Sequence, residues 1–252
     1  MYEKKENHIL DTEEQLESPL DEISPLDEES APPPPDPEAM LELLKSEVAQ
    51  ERMLGARAFC EITDARAISD LIGLLGDDCP LVRVSAAYAL GRNTSSEAVE
   101  PLITALNNDW NGYVRKGVVW ALGNCGERSS LQPLIHALKT DISAVRLWAA
   151  SSLAQIGKLS YEATLAAIPP LLEGLRKDKT AAVRSNCAWS IGQLCRELTF
   201  NVVYATAIDG LIEALVEDED LGVKEDAKAA LLRLGDPRGL QMIEELELEG
   251  II

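Results

Sequence analysis

Val82-Arg83-Val84-Ser85-Ala86-Ala87-Tyr88-Ala89-Leu90-Gly91 returns 32 residues later as Val114-Arg115-Lys116-Gly117-Val118-Val119-Trp120-Ala121-Leu122-Gly123. Looser copies surround Val145-Arg146 and Val183-Arg184. A basic residue marks the same position in every copy: Arg52, Arg83, Arg115, Arg146, Arg184 and Lys224, spaced by 31, 32, 31, 38 and 40 residues. Self-similarity at such a period is the signature of a stacked repeat, in which each unit buries its apolar face against its neighbours. Ala and Leu dominate the periodic part and strand-like runs are scarce, so the expected fold is all-α, a right-handed α-solenoid of helix pairs.

Each unit reads as helix, short turn, helix. The first helix carries Leu71-Ile72-x-Leu74-Leu75, echoed by Leu102-Ile103-x-x-Leu106, Leu134-Ile135-x-x-Leu138, Leu171-Leu172-x-x-Leu175 and Leu211-Ile212-x-x-Leu215. Apolar residues at i, i+1 and i+4 form one helical stripe. Pro101, Pro133 and Pro170 precede it, where a first turn has no donor to lose. An Asp stands in each turn: Asp78, Asp109, Asp141, Asp178 and Asp218. We expect it to cap the second helix, and the Arg to bond turn carbonyls or the next unit's Asp. The two longer intervals place extra residues at 157–165 and 195–206, which should lengthen helix ends or inter-repeat loops. The solenoid is expected to span 38–252 in about six helix pairs, with degraded capping units at 38–63 and 236–252.

The 252 residues carry a formal charge of −20, which argues against nucleic acid or an anionic membrane surface as the main partner. Residues 1–37 hold twelve Asp and Glu against Lys4 and Lys5, and seven of the thirteen prolines. Such a segment buries too little apolar surface to offset its ordering entropy, so it reads as a disordered acidic tail whose deletion should leave partner affinity unchanged. It lacks the apolar centre of a signal peptide, and no stretch has the length of a membrane span, so a cytoplasmic location is expected. Cys60, Cys79, Cys125, Cys187 and Cys195 form no C-x-x-C pair and fit a reducing compartment. Cys187 shares the repeat position of buried Ala86, and Cys79 is the cysteine expected to be exposed. No metal site and no catalytic residues are expected: His8 lies in the tail, His136 stands without a partner, and no phosphate-binding or nucleophile motif is present.

On a helical wheel, Val82, Ala86, Ala89 and Leu90 face the core. Opposite them fall the positions two before the Arg and two, five and nine after it. That outer column gathers Tyr88, Tyr113, Trp120, Trp148 and Trp189, five of the chain's eleven aromatics. Arg92, Asn124, Asn186 and Gln193 stand among them. Second helices of solenoids line the concave side, so these nine residues are the expected partner-binding groove, with large rings supplying contact area. Asp226 is the one acidic residue placed on this face. Truncating Trp120 or Trp148 is expected to weaken binding with little loss of fold.

The V-R-x-x-A-A-x-A-L-G motif with its Asp turn resembles the HEAT-repeat family over roughly 38–252, in particular the short repeats of phycobilisome lyase type proteins. That resemblance implies two function classes. One is a non-catalytic adaptor, similar to the HEAT protein that binds the iron–sulfur assembly protein IscA, with the iron–sulfur cluster held by the partner. The other is a subunit of a heterodimeric phycocyanobilin lyase of the CpcE/CpcF type, acting with a lyase partner subunit to attach phycocyanobilin to a phycobiliprotein; NblB-like phycobilisome proteins belong to the same group. CpcE-like subunits carry a run of adjacent aromatics before their Gly-Arg, whereas Ala87-Tyr88-Ala89-Leu90-Gly91-Arg92 holds one. The adaptor is therefore the expectation.

Overall fold

Both apolar stripes become buried faces. In the computed structural model, which describes residues 35–196, 198 and 201–251, the first-helix residues Leu71, Leu102, Leu134, Leu171 and Leu211 are fully buried, as are Val82, Ala86, Ala89 and Leu90 of the second. Each such Leu contributes roughly 1.5–3 kcal/mol relative to exposure. The core therefore runs as one continuous cluster from Leu41 to Leu246.

Among the described residues there is helix and no strand. The pairs are α1 (Pro37–Leu43) with α2 (Ala49–Ala58), α3 (Ile68–Leu74) with α4 (Pro80–Arg92), and α5 (Val99–Asn108) with α6 (Gly112–Cys125). They continue as α7 (Leu131–Thr140) with α8 (Ser143–Gly157), α9 (Tyr161–Lys177) with α10 (Ala181–Cys195), and α11 (Val202–Glu217) with α12 (Leu221–Leu234), before a final α13 (Pro237–Leu248). The expected tail, apart from residues 35–37, lies outside the described residues; α1 itself begins at Pro37, capped by the Asp36 carboxylate.

Second helices pack on one another more closely than first helices do, the arrangement of the inner row of a curved stack. The glycine that closes the repeat motif makes this possible. A Cβ on Gly91 would collide with the Trp120 ring, one on Gly123 would lie 2.8 Å from Ser152 Cβ, and one on Gly192 would lie 2.7 Å from Ala230 Cβ. Buried hydroxyls tie the same row: Ser152 donates to the Val119 carbonyl at 3.0 Å and Ser190 to the Ala150 carbonyl at 2.9 Å.

The Arg column is a ladder between units. Arg83 Nε donates to Asp109 Oδ2 at 2.6 Å, and the same fork joins Arg115 to Asp141, Arg146 to Asp178 and Arg184 to Asp218. Arg52 reaches Asp77. Each ladder Arg also donates Nη1 to a carbonyl of its own turn, as Arg83 does to Asp77 and Arg115 to Asp109. Lys224, at the same position in α12, bonds the Val216 carbonyl instead.

Several expectations are corrected. The first complete turn uses Asp77 rather than Asp78, because the functional register is six residues before the Arg in every unit but that of Asp141. These carboxylates do not cap the second helices. Asp77, Asp109, Asp178 and Asp218 instead accept the backbone N–H two residues on, at the N-cap residue itself. The side-chain caps are Asn111 for α6 and Asp220 for α12, while α4, α8 and α10 have none. As expected, the insertions lengthen helix ends: α9 and α11 are extended at their N-terminal ends, in place of the short 3-10 turns that precede α5 and α7. Pro170 consequently lies inside α9 beside Pro169, not at a first turn. Cys79 is half-buried, like Cys60 and Cys125, and is not singled out by exposure. Cys187 is buried, with its thiol pushed up by desolvation.

Candidate partner-binding face

Helices α4, α6, α8 and α10 contain no Asp or Glu, in a chain with 43 of them. Among second helices, acidic residues occur in α2 (Glu51) and α12 (Glu225 and Asp226), so the four between them are left to small, aromatic, amide and basic side chains. Helical spacing places Tyr113, Gly117 and Trp120 on one stripe of α6, with Lys116 beside it.

The expected residues join into a chain of contacts from helix to helix. Arg92 Nε donates to the Cys60 carbonyl at 3.1 Å, just past the end of α2. The Tyr88 and Trp120 rings meet at 5.5 Å with a 51° tilt. Asn124 donates to the Gly91 carbonyl at 3.1 Å. Across the next boundary the Lys116 ammonium stands 5.7 Å from the centre of the Trp148 ring, within cation–π range. Asn186 donates to the Leu147 carbonyl and the Ser151 hydroxyl, both at 3.0 Å, and Lys158 donates to Gln193 Oε1 at 3.3 Å.

The rings divide into two groups. Tyr88, Trp120 and Trp148 are half-buried, Trp120 lying over Gly91 and Trp148 packed against the core, so they serve the stack as well as the surface. Tyr113 is 72% exposed and Trp189 37%, and these two are open to a partner.

At the α2 end of the face the side chains border an open cavity of about 330 Å³, lined by Arg57, Cys60, Val84, Ser85, Tyr88, Arg92 and Trp120. Arg57 occupies, in its unit, the position held by Tyr88 and Trp120 in theirs. Burial pushes the Cys60 thiol up, with Arg57 and Arg92 opposing and Glu61 assisting the shift. Desolvation likewise raises the Tyr88 phenol. Neither group is activated for nucleophilic work.

Sequence reasoning missed Arg57, Cys60, Lys116 and Lys158 as parts of this face. Lys116 was within reach, being three residues from Tyr113 and four from Trp120. It also missed Trp110, 76% exposed in a turn where no helical wheel applies, with the Arg83 guanidinium 5.7 Å from its ring. Trp110 borders a cleft of about 880 Å³ on the turn side, whose carboxylates include Asp77 and Asp109 of the ladder. His136 is exposed and contacts Thr140. Among the described residues, no group of three or more His, Cys, Asp or Glu is placed to hold a metal ion, and no helix is long and apolar enough to cross a membrane.

The family model for HEAT repeats matches residues 37–117, 99–192 and 168–249. No curated protein matches the sequence. Among solved structures, the complex of CpcE and CpcF of phycocyanin lyase from Nostoc sp. PCC7120 is similar with a TM-score of 0.59 and 22% identity, over 88% of this chain and 84% of that one. A designed armadillo repeat protein in complex with the peptide (KR)4 gives 0.57 at 24% identity, over 79% and 98%. An engineered protein gives 0.57 at 25% identity, also over 79% and 98%.

Proposed function

The chain belongs to the HEAT-repeat family, and on that premise we propose that it is a non-catalytic adaptor that holds a partner protein on the face of its second helices. The observation that carries this reading is the coincidence of exposed rings, amides and unpaired cations along a row whose four central second helices, α4, α6, α8 and α10, hold no carboxylate. Such a fold alone does not specify a function, so the side chains of that face carry the reading. Aromatic and Arg-rich surfaces are where interface energy concentrates. A designed armadillo repeat protein of similar fold is in complex with a peptide, (KR)4.

The partner proposed is an IscA-type iron–sulfur assembly protein, which would bring the iron–sulfur cluster with its own cysteines. Cys187 and Cys195 are poor cluster ligands, since both are buried, with the Cys195 thiol pushed up to about 12 by desolvation. The test is co-expression with an IscA-type protein. A co-purifying complex with visible iron–sulfur absorption, lost in Trp189→Ala, supports the proposal; an IscA-type protein that never co-purifies removes it.

The likeness to the CpcE–CpcF complex favours one alternative, a lyase subunit acting on phycocyanobilin and a phycobiliprotein. Covalent bilin on the acceptor that depends on this chain, in the presence of a lyase partner subunit, would establish that alternative over the adaptor.

A further inference from the structure

Most basic groups of this protein are neutralised within the fold. The ladder arginines meet Asp77, Asp109, Asp141, Asp178 and Asp218, and on the first-helix side Lys139 meets Glu173 and Arg176 meets Glu213. The second-helix face is different. Among the described residues, Arg57, Arg92, Lys116 and Lys158 make no ion pair. Arg92 spends its Nε on a carbonyl and makes no hydrogen bond through its Nη atoms. Lys116 lies against a ring and Lys158 against an amide. Glu61, beside Cys60, and Asp226, which accepts from the Ser185 hydroxyl, mark the acidic ends of this stretch.

A protein of charge −20 that leaves four cations of this face out of ion pairs, beside its exposed rings, presents a locally positive and amphipathic track. Its complement is an anion with apolar side chains. We infer that the segment held on this face is an extended acidic peptide of the partner, with one bulky apolar side chain seated in the cavity between Arg57, Arg92, Tyr88 and Trp120. The inference rests on the adaptor reading and names the chemistry of what is bound. The cavity of about 330 Å³ has room for one large side chain, and its two guanidinium groups suit the carboxylates flanking it. The body's net negative charge does not cancel this attraction. Charges farther away than a Debye length of about 8 Å are screened at physiological salt, whereas contact pairs are not.

The test uses the immobilised full chain and a random peptide library displayed on phage. Enrichment of peptides combining Asp or Glu with Trp, Phe or Leu is expected. An enriched peptide, resynthesised with a fluorescent label, should bind Arg57→Glu/Arg92→Glu at least tenfold more weakly, and should lose affinity when its acids become Lys. Arg57→Glu alone, which removes no hydrogen bond of the fold, should show part of the loss with an unchanged circular dichroism spectrum. Enriched peptides that are basic, acidic peptides held equally by the charge-reversed variant, or no enrichment at all would each overturn the inference. In those cases a complex with an IscA-type protein would still stand, so this failure is distinct from failure of the adaptor reading.

Discussion

Arg83 crosses a unit boundary to grip Asp109 with two parallel hydrogen bonds, 2.6 Å from Nε to Oδ2 and 3.0 Å from Nη2 to Oδ1, both side chains less than a tenth exposed. Removing one partner from such a pair leaves the other charge buried and unpaired, which costs about 3–5 kcal/mol. Arg83→Ala is therefore expected to lower the urea midpoint sharply. Arg83→Met with Asp109→Leu, which removes both charges, should recover much of the loss. Equal losses in the single and double variants would show that the ladder's charges are worth more than their desolvation.

The ladder also sets the response to acid. Burial pushes the carboxyls of Asp77, Asp141, Asp178 and Asp218 up, but the Arg forks and backbone N–H groups outweigh it and hold all four below the usual range. Their stabilisation is therefore complete above the unfolded value of about 3.9 and lost as pH falls through the lower folded values. Self-repulsion eases as pH approaches the isoelectric point near 4.5, so the loss should show below about pH 4. Thermal melts from pH 7 to pH 2 check this; a melting temperature still rising between pH 4 and pH 2 contradicts it.

Gly91→Ala places a methyl group into the Trp120 ring and within 3.0 Å of the Ala121 Cα. Overpacking of this kind typically costs about 1–3 kcal/mol. The variant should melt earlier and change the tryptophan emission spectrum; an unchanged spectrum would mean that α4 and α6 separate easily.

Asn93 is 3% exposed and fully employed, donating to the carbonyls of Phe59, Ile62 and Ala89 and accepting the Asp64 N–H at 2.8 Å. Asn93→Ala strands buried groups at the end of the first unit, each costing about 1–3 kcal/mol when unsatisfied. Hydrogen exchange should quicken in α1 and α2 before it quickens in α10 and α12. Uniform quickening would show that the units unfold together.

For partner binding, Trp189→Ala is the informative substitution. Its side chain is 37% exposed, so we expect an affinity loss of about 2 kcal/mol with a smaller fall in melting temperature than Trp120→Ala gives, measured by calorimetry against the IscA-type protein. Trp120→Ala should lower both quantities, because that ring also covers Gly91. A folded Trp189→Ala protein with undiminished affinity would remove this face from the interface.

The recurring Arg, the two apolar stripes and the small residues of the second helices were enough to determine a stack of helix pairs, because burial at helical spacing is a local property of the chain. The wheel also found Tyr88, Trp120 and Trp148, but placed them as free groove residues. It could not foresee that Gly91 leaves room for a neighbour's ring, since that contact spans 29 positions of sequence. Which Asp meets which Arg, that Arg57 and Arg92 converge on Cys60, and that Lys116 reaches the Trp148 ring all depend on the rise and rotation from one unit to the next. Sequence period sets the identity of the units, whereas side-chain packing between them sets that geometry. Tertiary structure alone therefore decided which charges are spent inside the stack and which remain for a partner.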